Sequence, residues 1–281
     1  TMLRCYADNG KGIAIGFSAK KLMAFADENP KMEFREIQYV TDEEMMQTWQ
    51  GVNATFAWID KGKIQTGSVE QFIEFRKRKI KLRVNYKNID EMLEKKVPGA
   101  LTASGTMEAC RRLEIPTAVT CGIGGIGNVP GEKICTDLPA LAEIPVNLVA
   151  TSPKDMINIP QTFTWLRERG VKILGYHTDY CTGYVFYSAH EKLDGTFDTV
   201  PMERTGKTLL LNPIPMEDRI QDNQILEQAV KEALEAVKRG EYFHPAANGA
   251  IDKLTDGKSS YIQLASIVEN AKLAENIAKT R

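Results

Sequence analysis

Three stretches of this 281-residue sequence combine residue types whose spacing could support chemistry. Gly122-Ile-Gly-Gly-Ile-Gly127 sets four glycines in six positions. Its backbone N–H groups could close on a phosphate because no Cβ stands in the way. It reads equally as a tight turn beside a packed strand. The GxGGxG string does not announce a dinucleotide fold, since Pro130 and Gly131 interrupt any helix that would follow. Lys154 comes shortly after the apolar run Val146-Asn-Leu-Val-Ala150. An amine at the end of a buried strand is desolvated, which lowers its pKa toward the nucleophilic free base. A surface lysine capping a turn is the other reading of that position. Asp137, within Ile134-Cys-Thr-Asp-Leu138, could hold a metal ion or sugar hydroxyls, or cap a helix that starts at Leu138. His177 follows the apolar Gly175-Tyr176, whereas His190 and His244 have no partners at metal-ligand spacing.

These residues need a scaffold, and the pattern supplies one. Short apolar runs alternate with amphipathic segments, which is how a sheet covered by helices reads in sequence. Ala54 to Ile59, the turn Asp60-Lys-Gly-Lys63 and Ile64-Gln-Thr66 predict a hairpin, so the sheet is expected to be mixed. Thr102 to Leu113 is expected as a helix and Pro116 to Cys121 as a buried strand. Val146 to Ala150, Pro160 to Arg169 and Val171 to Tyr176 then form a strand–helix–strand succession with a right-handed parallel crossover. Asn223 to Arg239 and Ser260 to Lys279 have apolar residues three and four apart, which predicts two long helices packed on the domain. No linker or internal repeat divides the chain. We therefore expect one α/β domain over residues 1–281, with α/β/α layers around a mixed, mostly parallel central sheet.

Composition limits the partners. Lys and Arg number 36 against 37 Asp and Glu, so no global field recruits nucleic acid or an anionic membrane. Five scattered cysteines without a CxxC pair point to reduced thiols in a cytoplasmic protein. No run approaches the ~18 apolar residues of a membrane span.

Taken in order, Ala118-Val-Thr-Cys-Gly-Ile-Gly-Gly-Ile126, Asp137-Leu138, Pro145 to Lys154 and Gly170 to Asp179 resemble the core of the pseudouridine-5′-phosphate glycosidases, which include the indigoidine synthase A-like proteins. The likeness continues through Leu211-Asn-Pro-Ile-Pro215, Thr255-Asp-Gly-Lys-Ser259 and Glu269 to Ala278, covering roughly residues 50–281. The resemblance implies an enzyme that cleaves or forms a C-glycosidic bond to ribose 5-phosphate. Lys154 would be the nucleophile that makes a Schiff base with C1′ of the opened sugar, with Asp137 as its catalytic partner. It further implies substrate contacts at Arg83, Ala103, Gly124, Gly125, Cys135, Thr136, Asp137 and Gln263, and a homotrimer. Arg83 and Gln263 stand where the family has lysine and asparagine. The family proton-donating glutamate has no counterpart in Gly12 to Phe17, where Gly16 occupies its place, and Gly127 replaces a histidine. Lys133, beside Glu132, takes the place of an aspartate that holds manganese, so we expect no bound metal. The expected partner is a phosphorylated ribose or nucleotide. The rival from another class is a catalytically silent paralogue that binds such a ligand, and a weaker third is a nucleotide-binding oxidoreductase built on the glycine loop.

Overall fold

The computed structural model describes residues 2–3, 40–52, 55–77, 82–127, 134–200, 206–239 and 243–275. The expectations placed on Gly12 to Phe17, Glu132 and Lys133 lie outside these residues. A central sheet is built from β1 (Met2–Leu3), β2 (Thr55–Asp60), β3 (Lys63–Gly67), β4 (Leu82–Val84), β5 (Gly99–Leu101), β6 (Thr117–Val119), β8 (Asn147–Ala150), β10 (Lys172–Tyr176), β13 (Gly195–Phe197) and β14 (Thr208–Leu211). Its order is β13-β10-β14-β8-β6-β1-β2-β5-β4, with β3 paired to β2. Every pairing is parallel except β2 with β3 and with β5, so the sheet is mixed and mostly parallel. The predicted hairpin is β2–β3. Lys61 and Gly62 both take positive φ, 51° and 73°, as a two-residue turn matching strand twist requires.

Alternation along the strands shows why helices cover both faces. Phe56, Trp58, Val119, Val149 and Leu210 belong to one buried cluster. Their neighbours Ala57, Ile59, Ala118, Leu148, Ala150, Leu209 and Leu211 belong to another. Strands apolar on both faces must be sandwiched. The first cluster is closed by α1 (Asp42–Thr48), α2 (Val69–Arg76), α7 (Asn223–Lys238), α8 (Phe243–Leu254) and α9 (Lys258–Glu275). The second is closed by α3 (Ile89–Glu94), α4 (Ala103–Arg112), α5 (Asp137–Glu143) and α6 (Ile159–Arg167). The α/β/α layering expected from sequence is thus the observed one. Among the described residues no helix is long and apolar enough to cross a membrane.

Besides the small antiparallel pair β11 (Tyr180–Cys181) and β12 (Glu191–Lys192), two short strands matter most for position. Beyond the ends of β6 and β8 the chain continues as β7 (Gly122–Ile123) and β9 (Ser152–Pro153), paired in parallel with Gly122 opposite Ser152 and Ile123 opposite Pro153. This ribbon carries the glycine loop and Lys154 side by side off the carboxyl edge of the sheet, where ligands collect in open α/β folds.

Candidate active site

Lys154 is 3% exposed, and its N–H donates to the Ile123 carbonyl at 3.1 Å. It is therefore not the surface lysine that its sequence position also allowed. The ordering of Gly122 explains the packing around it. A Cβ there would meet the Tyr184 ring at 2.8 Å and Cγ of Lys154 at 3.0 Å. The lysine stem and the tyrosine ring thus converge over a residue that has no side chain.

Asp137 sits at the first position of α5, one residue after the cap residue Thr136, so its carboxylate is not the helix cap that the sequence also allowed. It is 2% exposed and reaches across to two other segments. One oxygen accepts the Ser104 N–H at 2.9 Å and the other accepts the Gly124 N–H at 3.0 Å. A carboxylate held by backbone donors, one of them in the first turn of α4, is favourably placed against the helix dipole. Around it run hydroxyls: Thr102 caps α4 through the Gly105 N–H, contacts Ser104 Oγ at 2.9 Å, and Ser104 Oγ contacts Thr136 Oγ1 at 3.1 Å. Ala103, the first residue of α4, lies between these hydroxyl-bearing residues.

The glycine loop is shaped by close packing. None of Gly122, Gly124 and Gly125 has positive φ, but a Cβ on Gly124 would fall 2.2 Å from Cys135 Sγ and one on Gly125 would fall 2.5 Å from Ile157 and Thr162. The N–H of Gly124 is committed to Asp137, and that of Ile126 to Thr162 Oγ1 at 3.0 Å. Cys135 donates its own N–H to the Gly125 carbonyl at 3.3 Å. Part of Cys135 reaches solvent, yet protein atoms crowd its sulfur. That burial, reinforced by the charge of Asp137, pushes the thiol up to about 12, while the Asp137 N–H, Arg83 and Lys154 pull the other way. Arg83, Asp137 and Lys154 each lie within electrostatic reach of the Cys135 thiol. Gln263 on α9 is 3% exposed, and its Oε1 is buried without a hydrogen-bond partner. One turn and more further along α9, Asn270 donates to the Thr120 carbonyl at 2.8 Å and contacts Thr151 Oγ1 at 3.0 Å, tying the helix to the ends of β6 and β8.

His177 does not join this group. It is exposed beyond β10, with Nδ1 3.2 Å from Asp198. The residues that sequence reasoning passed over are Ser104, Thr162, Asp155, Tyr184 and Asn270. Asp155, adjacent to Lys154, was the one with a local signal.

Both Asp137 oxygens already accept backbone N–H groups, the Cys135 thiol is held protonated, and among the described residues no group of three or more His, Cys, Asp or Glu could hold a metal.

Comparison with known proteins identifies the family. Residues 39–280 match the model of the indigoidine synthase A-like proteins. A pseudouridine-5′-phosphate glycosidase of Caldanaerobacter subterraneus is 30% identical over 253 residues, covering 84% of this chain and 82% of that protein. One from Geobacillus kaustophilus is 27% identical, covering 70% and 71%. The fold is shared with an indigoidine synthase A-like protein of Thermotoga maritima, at TM-score 0.71 and 20% identity over 99% of this chain and 91% of that one. It is shared also with the prealnumycin C-glycosynthase AlnA, solved in complex with ribulose 5-phosphate, at TM-score 0.69 and 20% identity over 100% and 93%. With a buried lysine, a carboxylate clamp and a glycine loop arranged on that shared scaffold, the chain belongs to the indigoidine synthase A-like family, among whose members are the pseudouridine-5′-phosphate glycosidases.

Proposed function

We propose that this protein is a Schiff-base enzyme of the pseudouridine-5′-phosphate glycosidase type, cleaving or forming a C-glycosidic bond to a phosphorylated ribose. The observation that carries the reading is Lys154: an amine 3% exposed at the carboxyl edge of the sheet, sharing its surroundings with Arg83, Cys135 and Asp137. Burial disfavours the ammonium and favours the neutral amine that attacks an aldehyde. A carbon leaving group needs an electron sink, and a protonated imine at C1′ is one. Arg83 pairs with the phosphate, as a guanidinium does bidentately. Gly124, Gly125, Thr136 and the first turn of α4 at Ala103 line the sugar, and Gln263 offers its buried carbonyl to the ligand. The ribulose 5-phosphate held by the C-glycosynthase of the same fold supports a phosphorylated pentose. The reading is of a homotrimer in the cytoplasm that works without a metal.

Borohydride reduction in the presence of ribose 5-phosphate is expected to trap one sugar per chain, on the peptide carrying Lys154, with or without EDTA. The adduct disappears in Lys154→Ala and persists in Lys172→Ala, whose side chain is on an exposed position of β10. Absence of any adduct, or its scatter over surface lysines, would instead favour the silent sugar-phosphate-binding paralogue.

A further inference from the structure

We infer that Tyr184 is the proton-transfer residue at the Lys154 imine. The inference rests on the Schiff-base reading above and adds the group that moves protons within it. Imine formation requires two such transfers, to the carbonyl oxygen and then to the departing hydroxyl, and a positioned acid–base group supplies them. Of the groups around Lys154, the Arg83 guanidinium offers donors and no acceptor, and Cys135 is held as a thiol. Asp137 is an acceptor for two backbone donors. Tyr184 carries a hydroxyl that both donates and accepts.

The geometry favours it. The point 2.8 Å from Cε1 and 3.1 Å from Cζ of Tyr184 is also 3.0 Å from Cγ of Lys154, so the phenol end of the ring, not its stem, lies beside the aliphatic stem that carries the amine. Tyr184 is 2% exposed. Its backbone is fixed by the residue next to the lysine. The two Asp155 oxygens accept the N–H groups of Tyr184 at 2.8 Å, Val185 at 2.8 Å and Phe186 at 3.3 Å, and the Ser188 hydroxyl at 2.5 Å. From the other side the buried Arg219 donates to the carbonyls of Thr182 at 3.1 Å and Ile214 at 2.7 Å. Lys154 and Tyr184 are therefore set against each other by one carboxylate at position 155. The charged and titratable groups nearby are Lys154 itself, Asp155, whose carboxyl is pushed up by burial, Arg219 and the buried Cys181.

The neutral amine of Lys154 forms a C–N bond to the aldehyde carbon. The C=O π pair moves to oxygen, which takes the phenolic proton. The phenolate then removes a proton from the nitrogen. In the second step the phenol protonates the same hydroxyl, which leaves as water while the nitrogen lone pair forms C=N⁺, and hydrolysis reverses both steps.

Each cycle replaces the carbonyl oxygen, so enzyme-catalysed exchange of ¹⁸O from water into C1 of ribose 5-phosphate, followed by mass spectrometry, measures the step without the true leaving group. Tyr184→Phe, which retains the ring, is expected to slow exchange about 10²–10⁴-fold while thermal unfolding and the borohydride adduct at long times are retained. Replacing Tyr184 by 3-fluorotyrosine, a stronger acid, should move the alkaline limb of the exchange profile to lower pH. Exchange in Tyr184→Phe at the wild-type rate, or a limb unmoved by fluorination, overturns the inference and leaves the Schiff-base reading intact. No exchange and no adduct in the wild-type protein removes both.

Discussion

The carboxyl ends of β6 and β8 and those of β10 and β14 lie in one sheet, yet the chain furnishes them in opposite ways. Past β6 and β8 it packs polar groups tightly: Asp137, Cys135, Lys154 and the glycine loop satisfy or crowd one another. Past β10 and β14 there is a groove of about 630 Å³ lined by Tyr176, Ile214, Pro215, Ile262, Ala265 and Leu273, among others. None of the candidate catalytic side chains reaches it. The groove also carries Asp218, Lys258, Glu269 and Lys272, but these are exposed side chains, whereas Asp137 and Lys154 are buried.

Asp137→Ala attacks that network hardest. It leaves the N–H groups of Ser104 and Gly124 buried without their acceptor, and each orphaned donor costs about 1–3 kcal/mol. Urea unfolding should register a loss of about 3 kcal/mol or more; a loss below ~1 kcal/mol would mean the clamp is dispensable. Gly124→Ala is expected to cost about 1–3 kcal/mol by driving a methyl into Cys135, and to weaken adduct formation at Lys154 with it. Gly249→Ala in α8, where nothing lies within 4 Å, should stabilise by about 0.5–1 kcal/mol. Equal effects at the two glycines would dissolve the contrast.

Cys135 gives the comparison a pH axis. Its thiol is about 12 in the folded protein against an ordinary 9.0. The folded state therefore keeps a proton that the unfolded state releases, and stability falls as pH rises from 9 toward 12. Cys135→Ala should flatten that part of the stability curve, and iodoacetamide should leave the folded thiol unmodified near neutrality. An unaltered curve would show that the sulfur is not desolvated. The smallest effect is expected in the groove: Ala265→Leu should leave the ribose 5-phosphate adduct unchanged in yield, and a loss would move the ligand site there.

Much of this was legible in the sequence where the signal is local. The mainly apolar run before Lys61-Gly62 marked the hairpin, and Val146 to Ala150, apolar but for Asn147, marked a strand. α8 was missed because Pro245 and Gly249 argue against a helix. Pro245 falls in the first turn, where a missing N–H is harmless, and tertiary packing of Ala247, Ala250 and Ile251 outweighs the glycine. β14, four residues all buried, is too short for periodicity to identify. In the site, Lys154 and Asp137 stood out by position relative to strands. Ser104, Thr162 and Asn270 did not, because each meets the loops across 33 or more residues of chain, up to 150 for Asn270 with Thr120. Nothing in a hydroxyl or amide announces which distant backbone it will meet.

The bond from Asn270 to Thr120 and Thr151 has a consequence for how the molecule is made. Chains emerge from the ribosome from the N-terminus onward, so β6, β8 and Lys154 are synthesised well before the helix that covers them. Until α9 arrives, the Thr120 carbonyl and the apolar ends of both strands face water or a chaperone. The carboxyl edge of β6 and β8 is thus completed last, and a nascent chain stalled before residue 258 carries Lys154 without the helix that ties the two strand ends together.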